Sequence, residues 1–192
     1  MKLLFINACI RGEKSRTLQL AKCFLSNYKN QYKDVEIEEI DLNKENIHPI
    51  LSKELENRDR LIKNKEYDNE IFKYARQFSL ADKIVIASPC WDYSFPSILK
   101  VYIENVCVLG MTFRYNTEGS QSTGLSKFSS LLYITTVGGY PHDKEYMNNI
   151  TAFLGSGKYF EVCATGLDIV GNDVSKILEE AKTKLDKISN KF

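Results

Sequence analysis

The sequence predicts an α/β fold: a three-layer sandwich with a five-stranded parallel sheet in the order 2-1-3-4-5 and helices on both faces. Three observations predict it. Short apolar runs at Lys2–Asn7, Lys83–Ser88 and Ser129–Val137 suit strands buried on both sides. Helical patterns alternate with the strands, and such alternation implies a parallel sheet covered by helices. Right-handed crossovers leave few topologies, and five strands favour this order.

Lys2–Asn7 opens the chain as a central strand. A helical pattern runs from Thr17 through Leu18, Ala21, Phe24 and Leu25 to Tyr28, with Ser15 or Arg16 at its start. Val35–Ile40 alternates and reads as an edge strand with one wetter face. Asp41–Lys65 holds Pro49 and dense charge, and reads as a long connection with a helical turn or two. Glu70–Leu80 is helical, and Lys83–Ser88 is a strand stopped by Pro89. Pro96 begins a helix whose buried face is Ile98, Leu99, Tyr102, Ile103, Val106 and Leu109, ended by Gly110. Ser129–Val137 is the fourth strand, followed by a helix over Lys144–Leu154 and a fifth strand over Tyr159–Thr165. Asn172 or Asp173 caps a last helix through Ile177, Leu178, Ala181, Leu185 and Ile188. No repeat or linker divides residues 1–192, which read as one domain.

A formal net charge of +1 gives no electrostatic reason for a nucleic-acid or membrane partner. The apolar start is too short for a signal peptide, and no stretch approaches the roughly 20 apolar residues of a membrane span, so the expected location is the cytosol. The five cysteines, Cys9, Cys23, Cys90, Cys107 and Cys163, form no C-x-x-C pair. That argues against a disulfide framework, a zinc site and an iron–sulfur cluster, so no metal is expected.

In an open doubly wound sheet, ligands bind at the carboxyl ends of the strands near the switch point. Three segments leave those ends. Ala8–Thr17 has neither G-x-G-x-x-G nor the Walker spacing. It places Ser15, Arg16 and Thr17 at the opening of the first helix, where N–H groups and the dipole favour an anion. The same residues serve equally as an N-cap with a surface arginine. Ser88–Pro96 packs Trp91, Tyr93 and Phe95 between two prolines, as the wall of a flat ligand or as a local apolar plug. Thr136–His142 carries Gly138-Gly139-Tyr140, either a close backbone approach to a ligand or a tight turn.

These residues, taken in order, resemble the flavodoxin-like family of FMN-dependent NADH:quinone oxidoreductases, which includes the NADH-azoreductases. The matching pieces are Ser15-Arg16-Thr17, Pro89-Cys90-Trp91, Pro96 to Glu104, Gly110 to Tyr115, Thr123-Gly124-Leu125, Thr136-Val137-Gly138-Gly139 and Phe153-Leu154-Gly155. The resemblance implies FMN as cofactor and NADH or NADPH as electron donor. Ser15, Arg16 and Thr17 would hold the FMN phosphate. Pro89, Cys90, Trp91, Asp92 and Tyr93 would line the isoalloxazine, and Thr136, Val137, Gly138 and Gly139 would donate to its pyrimidine end, where charge builds on reduction. Cys9 stands where azoreductases commonly carry a phosphate-touching Ser, and a thiol is a poorer donor. Val137 stands where they carry Arg. Asp41–Lys65 has little match.

The implied mechanism is ping-pong: a nicotinamide delivers hydride to the flavin N5 and leaves, and a quinone, azo or similar acceptor then takes two electrons in the same place. The flavin carries the chemistry, so no protein acid or base is required. His142 lies near the third loop and can polarise an acceptor oxygen, although a solvent-exposed His is the plainer reading. Trp91, Tyr93 and Tyr140 are the expected walls of the acceptor pocket. The family's two-fold flavin pocket implies a homodimer. The rival readings are a flavodoxin-type electron carrier, which is usually strongly acidic, and a flavin-binding or flavin-free ancillary subunit.

Overall fold

The protein is described by a computed structural model covering residues 1–119, 121–140 and 145–192. Strands β1 (Lys2–Asn7), β2 (Glu36–Asp41), β3 (Lys83–Ala87), β6 (Ser130–Thr136) and β7 (Lys158–Ala164) form one parallel sheet in the order β2-β1-β3-β6-β7. Counted along this sheet alone, that is the expected 2-1-3-4-5. β1 pairs with β2 from Lys2↔Glu36 to Asn7↔Asp41, and with β3 from Leu3↔Lys83 to Asn7↔Ala87. Ala87 lies opposite Ile134, and Thr136 opposite Ala164. The strands therefore deliver their carboxyl ends to one edge of the sheet, and the chain reverses direction across the sheet between β1 and β3.

Side-chain alternation along the strands builds two cores. Leu3, Phe5, Val85, Leu132, Ile134 and Val162 face α1 (Arg16–Gln31) and α6 (Val174–Ser189). Leu4, Ile6, Ile84, Ile86, Leu131 and Tyr133 face α3 (Lys73–Ser79), α4 (Ser97–Val106) and α5 (Glu145–Leu154). This double burial is why the central strands read as unbroken apolar runs. A fully buried Leu or Ile is worth about 1.5–3 kcal/mol each, which makes these two layers the main source of stability. β2 is an edge strand, as its wetter pattern predicted.

The helix starts follow local chemistry. Ser15 caps α1, its Oγ accepting from Leu18 N at 3.3 Å, and Asp173 caps α6, its Oδ1 accepting from Lys176 N at 3.0 Å. Pro96 stands at the N-cap of α4, and Ile103 O accepts from Cys107 N at its end; the helix stops at Val106 rather than at Gly110, so Leu109, expected on its buried face, lies beyond it and is exposed. The Glu70–Leu80 segment divides into a 3-10 turn at Glu70–Phe72 and then α3. Lys144, the expected start of α5, lies outside the described residues.

Two elements depart from expectation. The Asp41–Lys65 connection contains a 12-residue helix, α2 (Ser52–Lys63), where only a turn or two was expected. Only Arg58 and Leu61 of it are buried, so it carries no apolar stripe to read. Arg58 anchors it: its guanidinium donates to the carbonyls of Glu104 at 3.3 Å and Cys107 at 3.0 Å, closing the exposed end of α4. Burial lowers the pKa of that guanidinium. The second departure is an antiparallel hairpin of β4 (Phe113–Tyr115) and β5 (Ser122–Gly124) between α4 and β6.

Candidate functional site

The first loop tightens into a 3-10 turn at Gly12–Lys14, entered with Gly12 at φ 54°, before Ser15 opens α1. Ser15 Oγ takes the amide of Leu18, and the N–H groups of Arg16 and Thr17, in the same first turn, have no intrahelical acceptor. Ser15 is therefore both a cap and part of the anion-attracting end of the helix. Thr17 is fully buried, and its Oγ1 lies 2.7 Å from Thr136 Oγ1, so the two hydroxyls join the first and third loops. Cys9 is buried too. Its amide donates to Asn7 Oδ1 at 3.0 Å and its thiol to Ala87 O at 3.5 Å. Burial, with the carboxylates of Asp41 and Glu39 adding to it, pushes the thiol up to about 11.

The second loop is tied to the third, with Cys90 N donating to Thr136 O at 2.9 Å. At its tip Trp91 and Ser94 exchange both backbone hydrogen bonds at 2.8 Å, and Asp92 and Tyr93 take φ of 50° and 63°. That is the geometry of a type I′ turn, which normally carries glycine or asparagine. Two non-glycine residues in the left-handed region mark stored strain of the kind found at ligand clamps. Trp91 is half-exposed beside the turn, and Tyr93 at its tip is 79% exposed. Cys90 is half-buried, and its pKa is raised by that burial and by Asp92.

The third loop is clamped to a fourth, which leaves β7. Val137 N donates to Ala164 O at 2.8 Å, Asp168 N to Gly138 O at 2.9 Å and Gly166 N to Gly139 O at 3.0 Å. Val137 is buried, so it contributes backbone rather than side chain. The amides of Gly138 and Gly139 have no protein acceptor among the described residues. Arg16 closes the circle, its Nη1 donating to Leu167 O at 3.2 Å and to Asp168 Oδ1 at 2.8 Å. With its two side chains 41% and 70% exposed, that ion pair adds roughly 0–1 kcal/mol of stability.

These four loops enclose a cleft of about 260 Å³ lined by Arg11, Lys14, Ser15, Arg16, Pro89, Cys90, Trp91, Thr136, Gly138, Leu167 and Asp168. Three cations face one carboxylate in it, beside the free N–H groups of α1. The structure thus brings most of the expected residues together. Asp92 and Tyr93 stand at the turn tip beyond the cleft wall. Tyr140, an expected pocket wall, lines a separate cleft against α6 with Thr165, Asn172 and Lys176. His142 lies outside the described residues. Sequence reasoning missed Arg11 and Lys14 as members of the site, and it missed the loop of Leu167 and Asp168 altogether. The signal for that loop was available: a fifth parallel strand must also end at this edge, and Gly166 (φ 77°) follows it closely. Among the described residues no cluster has the makings of a metal site, and no helix is long and apolar enough to cross a membrane.

A flavodoxin-like fold family model matches residues 1–188. An FMN-dependent NADH:quinone oxidoreductase of Clostridium beijerinckii is 39% identical over 100% of this chain and 99% of its own. One from Clostridium acetobutylicum is 36% identical with the same coverage. An azoreductase structure from Bacillus anthracis superposes with a TM-score of 0.89, covering 100% of both chains at 24% identity, a likeness of fold. With a family model matching residues 1–188 and relatives 39% and 36% identical over the whole chain, this chain belongs to the flavodoxin-like family that contains the FMN-dependent NADH:quinone oxidoreductases.

Proposed function

We propose that the protein is an FMN-dependent oxidoreductase that passes two electrons from NADH or NADPH to a quinone, azo or similar small acceptor. One observation carries the reading beyond kinship: the opening of α1 at Ser15 and Arg16, and Gly138, whose amide has no protein acceptor among the described residues, line one cation-rich cleft at the sheet's switch point. An anionic tail and a hydrogen-bonding ring edge fit the two ends of that arrangement. When bound, FMN would supply the two-electron chemistry that links a nicotinamide donor to the acceptor.

This chain's residues bind and orient. Ser15, Arg16 and the amides of Arg16 and Thr17 hold the phosphate, with Arg11 and Lys14 adding positive charge. Thr17 and Thr136 fix the separation of the two loops. Pro89, Cys90 and Trp91 wall the ring, with the strained Asp92–Tyr93 turn holding Trp91 in place. Gly138 and Gly139 supply amide donors, which favour added electron density at the facing ring edge. Cys9 supports this floor from beneath through its bond to β3. A donor and an acceptor that occupy this cleft in turn would give ping-pong kinetics.

We further propose a homodimer. A groove of about 550 Å³ between α2, α4 and α5 carries Leu55, Ile62, Ile103, Leu109, Phe113 and Ile150, and Leu55 and Leu109 are exposed in the single chain. Sedimentation at micromolar concentration reads the expected two-chain mass. A cytoplasmic location accords with the chemistry, since reduced nicotinamides are kept there.

The functional test is steady-state oxidation of NADH by a soluble benzoquinone after reconstitution with FMN. Many turnovers per protein are expected. Retained FMN with negligible turnover would instead identify an electron carrier.

A further inference from the structure

Resting on the FMN reading above, we propose that Asp168 is a positioning residue for the phosphate cradle, setting Arg16 in place before the cofactor arrives. Both acceptors on Arg16, Leu167 O and Asp168 Oδ1, bind the same nitrogen, Nη1. The remaining guanidinium donors, Nε and Nη2, have no protein partner among the described residues. They are the donors left for a phosphate, in the fork geometry that suits a two-oxygen grip.

Asp168 is itself held in register. Its amide donates to Gly138 O at 2.9 Å, and its carboxylate lies against Gly138, where a Cβ would meet Oδ2 at 2.4 Å. Gly138 has ordinary φ, so here glycine serves to leave room for the Asp168 carboxylate rather than to make a left-handed turn. Leu167, the other acceptor, is buried in the core below. The loop after β7 is thus a rigid bracket that reaches across the cleft and grips the first residue of α1.

Two effects of Asp168 oppose each other. Its charge repels a phosphate, while its grip orders a long side chain that otherwise loses rotamer freedom on binding. The charge is largely exposed, already paired with a guanidinium, and outnumbered by Arg11 and Lys14 on the same cleft. Ordering therefore wins, and Asp168 strengthens phosphate binding despite its sign.

The experiment compares FMN with riboflavin, which lacks the phosphate, by titration of the apoprotein for wild type, Asp168→Ala, Arg16→Ala and the double variant. Asp168→Ala is expected to weaken FMN about tenfold and leave riboflavin unchanged, with the apoprotein melting temperature unmoved. The double variant is expected to bind FMN no worse than Arg16→Ala alone, because Asp168 acts only through Arg16. Unchanged or tighter FMN binding by Asp168→Ala would overturn the proposal, as would an equal loss for riboflavin or additive losses in the double variant. Failure of the wild-type protein to bind FMN would overturn the cofactor reading and this inference together. Binding by wild type with no effect of Asp168→Ala would overturn this inference alone.

Discussion

Thr17 Oγ1 and Thr136 Oγ1 meet at 2.7 Å where the first turn of α1 touches the end of β6. Thr17 is fully buried and Thr136 nearly so. Removing one hydroxyl strands the other, and an unsatisfied buried group costs about 1–3 kcal/mol, whereas removing both leaves two methyls in contact. Thr17→Val is expected to destabilise by about 1–2 kcal/mol, and Thr17→Val with Thr136→Val by less than the sum of the singles. Urea unfolding of the four proteins measures the coupling.

Glycine substitutions separate the site from the scaffold. At Gly138 an added Cβ collides with the end of the Asp168 side chain, which can swing aside into solvent. At Gly155 it collides with Phe128 Cε1 at 2.5 Å and Ser126 O at 2.7 Å, a buried ring and backbone. Gly138→Ala is expected to change stability by less than about 1 kcal/mol while weakening FMN, and Gly155→Ala to cost about 1–3 kcal/mol by overpacking. Melting curves of the two apoproteins provide the comparison.

The left-handed Asp92–Tyr93 turn predicts a trade of stability against function. A non-glycine residue in that region costs about 1–2 kcal/mol, and less for Asp than for Tyr. Tyr93→Gly is expected to stabilise the apoprotein by about 1 kcal/mol and to raise KM for the acceptor as the loop beside Trp91 loosens. Denaturant midpoints and steady-state kinetics on the same preparation test both halves.

Buried thiols predict alkaline sensitivity. The pKa of Cys9 and that of Cys107 are each raised from 9.0 to about 11, chiefly by burial. For a group whose folded pKa lies above its unfolded one, the stabilisation is complete below the unfolded value and disappears as pH rises through the folded value. Stability should therefore be flat with respect to these thiols below pH 9 and fall between pH 9 and about 11, by about 2–3 kcal/mol for Cys9. Cys9→Ala should remove the Cys9 part of that slope and leave the Cys107 part, while lowering stability at pH 7, and urea midpoints across the range provide the check.

The parts of this molecule legible in the sequence are those with strong physical signals. β1, β3 and β6 are sandwiched between helices, so their apolar runs are continuous, and the order of the sheet follows from strand–helix alternation. α2 escaped because Arg58 and Leu61 alone are buried along it, and an arginine does not register as a core residue. The β4–β5 hairpin escaped because its strands have three residues each and mostly exposed side chains. In the site, Ser15, Arg16, Trp91 and Gly138 were legible through helix capping, aromatic clustering and glycine. Thr17 and Cys9 were placed in the right neighbourhood, but their hydroxyl and thiol are engaged with Thr136 and Ala87. The loop after the fifth strand was marked by Gly166, but nothing in the sequence pairs its Asp168 with Arg16, 152 positions away, and only the fold brings the two together.

The most direct test of the central claim is the visible absorbance of FMN-loaded protein under anaerobic conditions, first with one equivalent of NADH and then with one of benzoquinone. The flavin colour is expected to be retained through gel filtration, to bleach with the nicotinamide and to return with the quinone. Colour lost on the column, or retained but unchanged by either addition, would contradict the central claim.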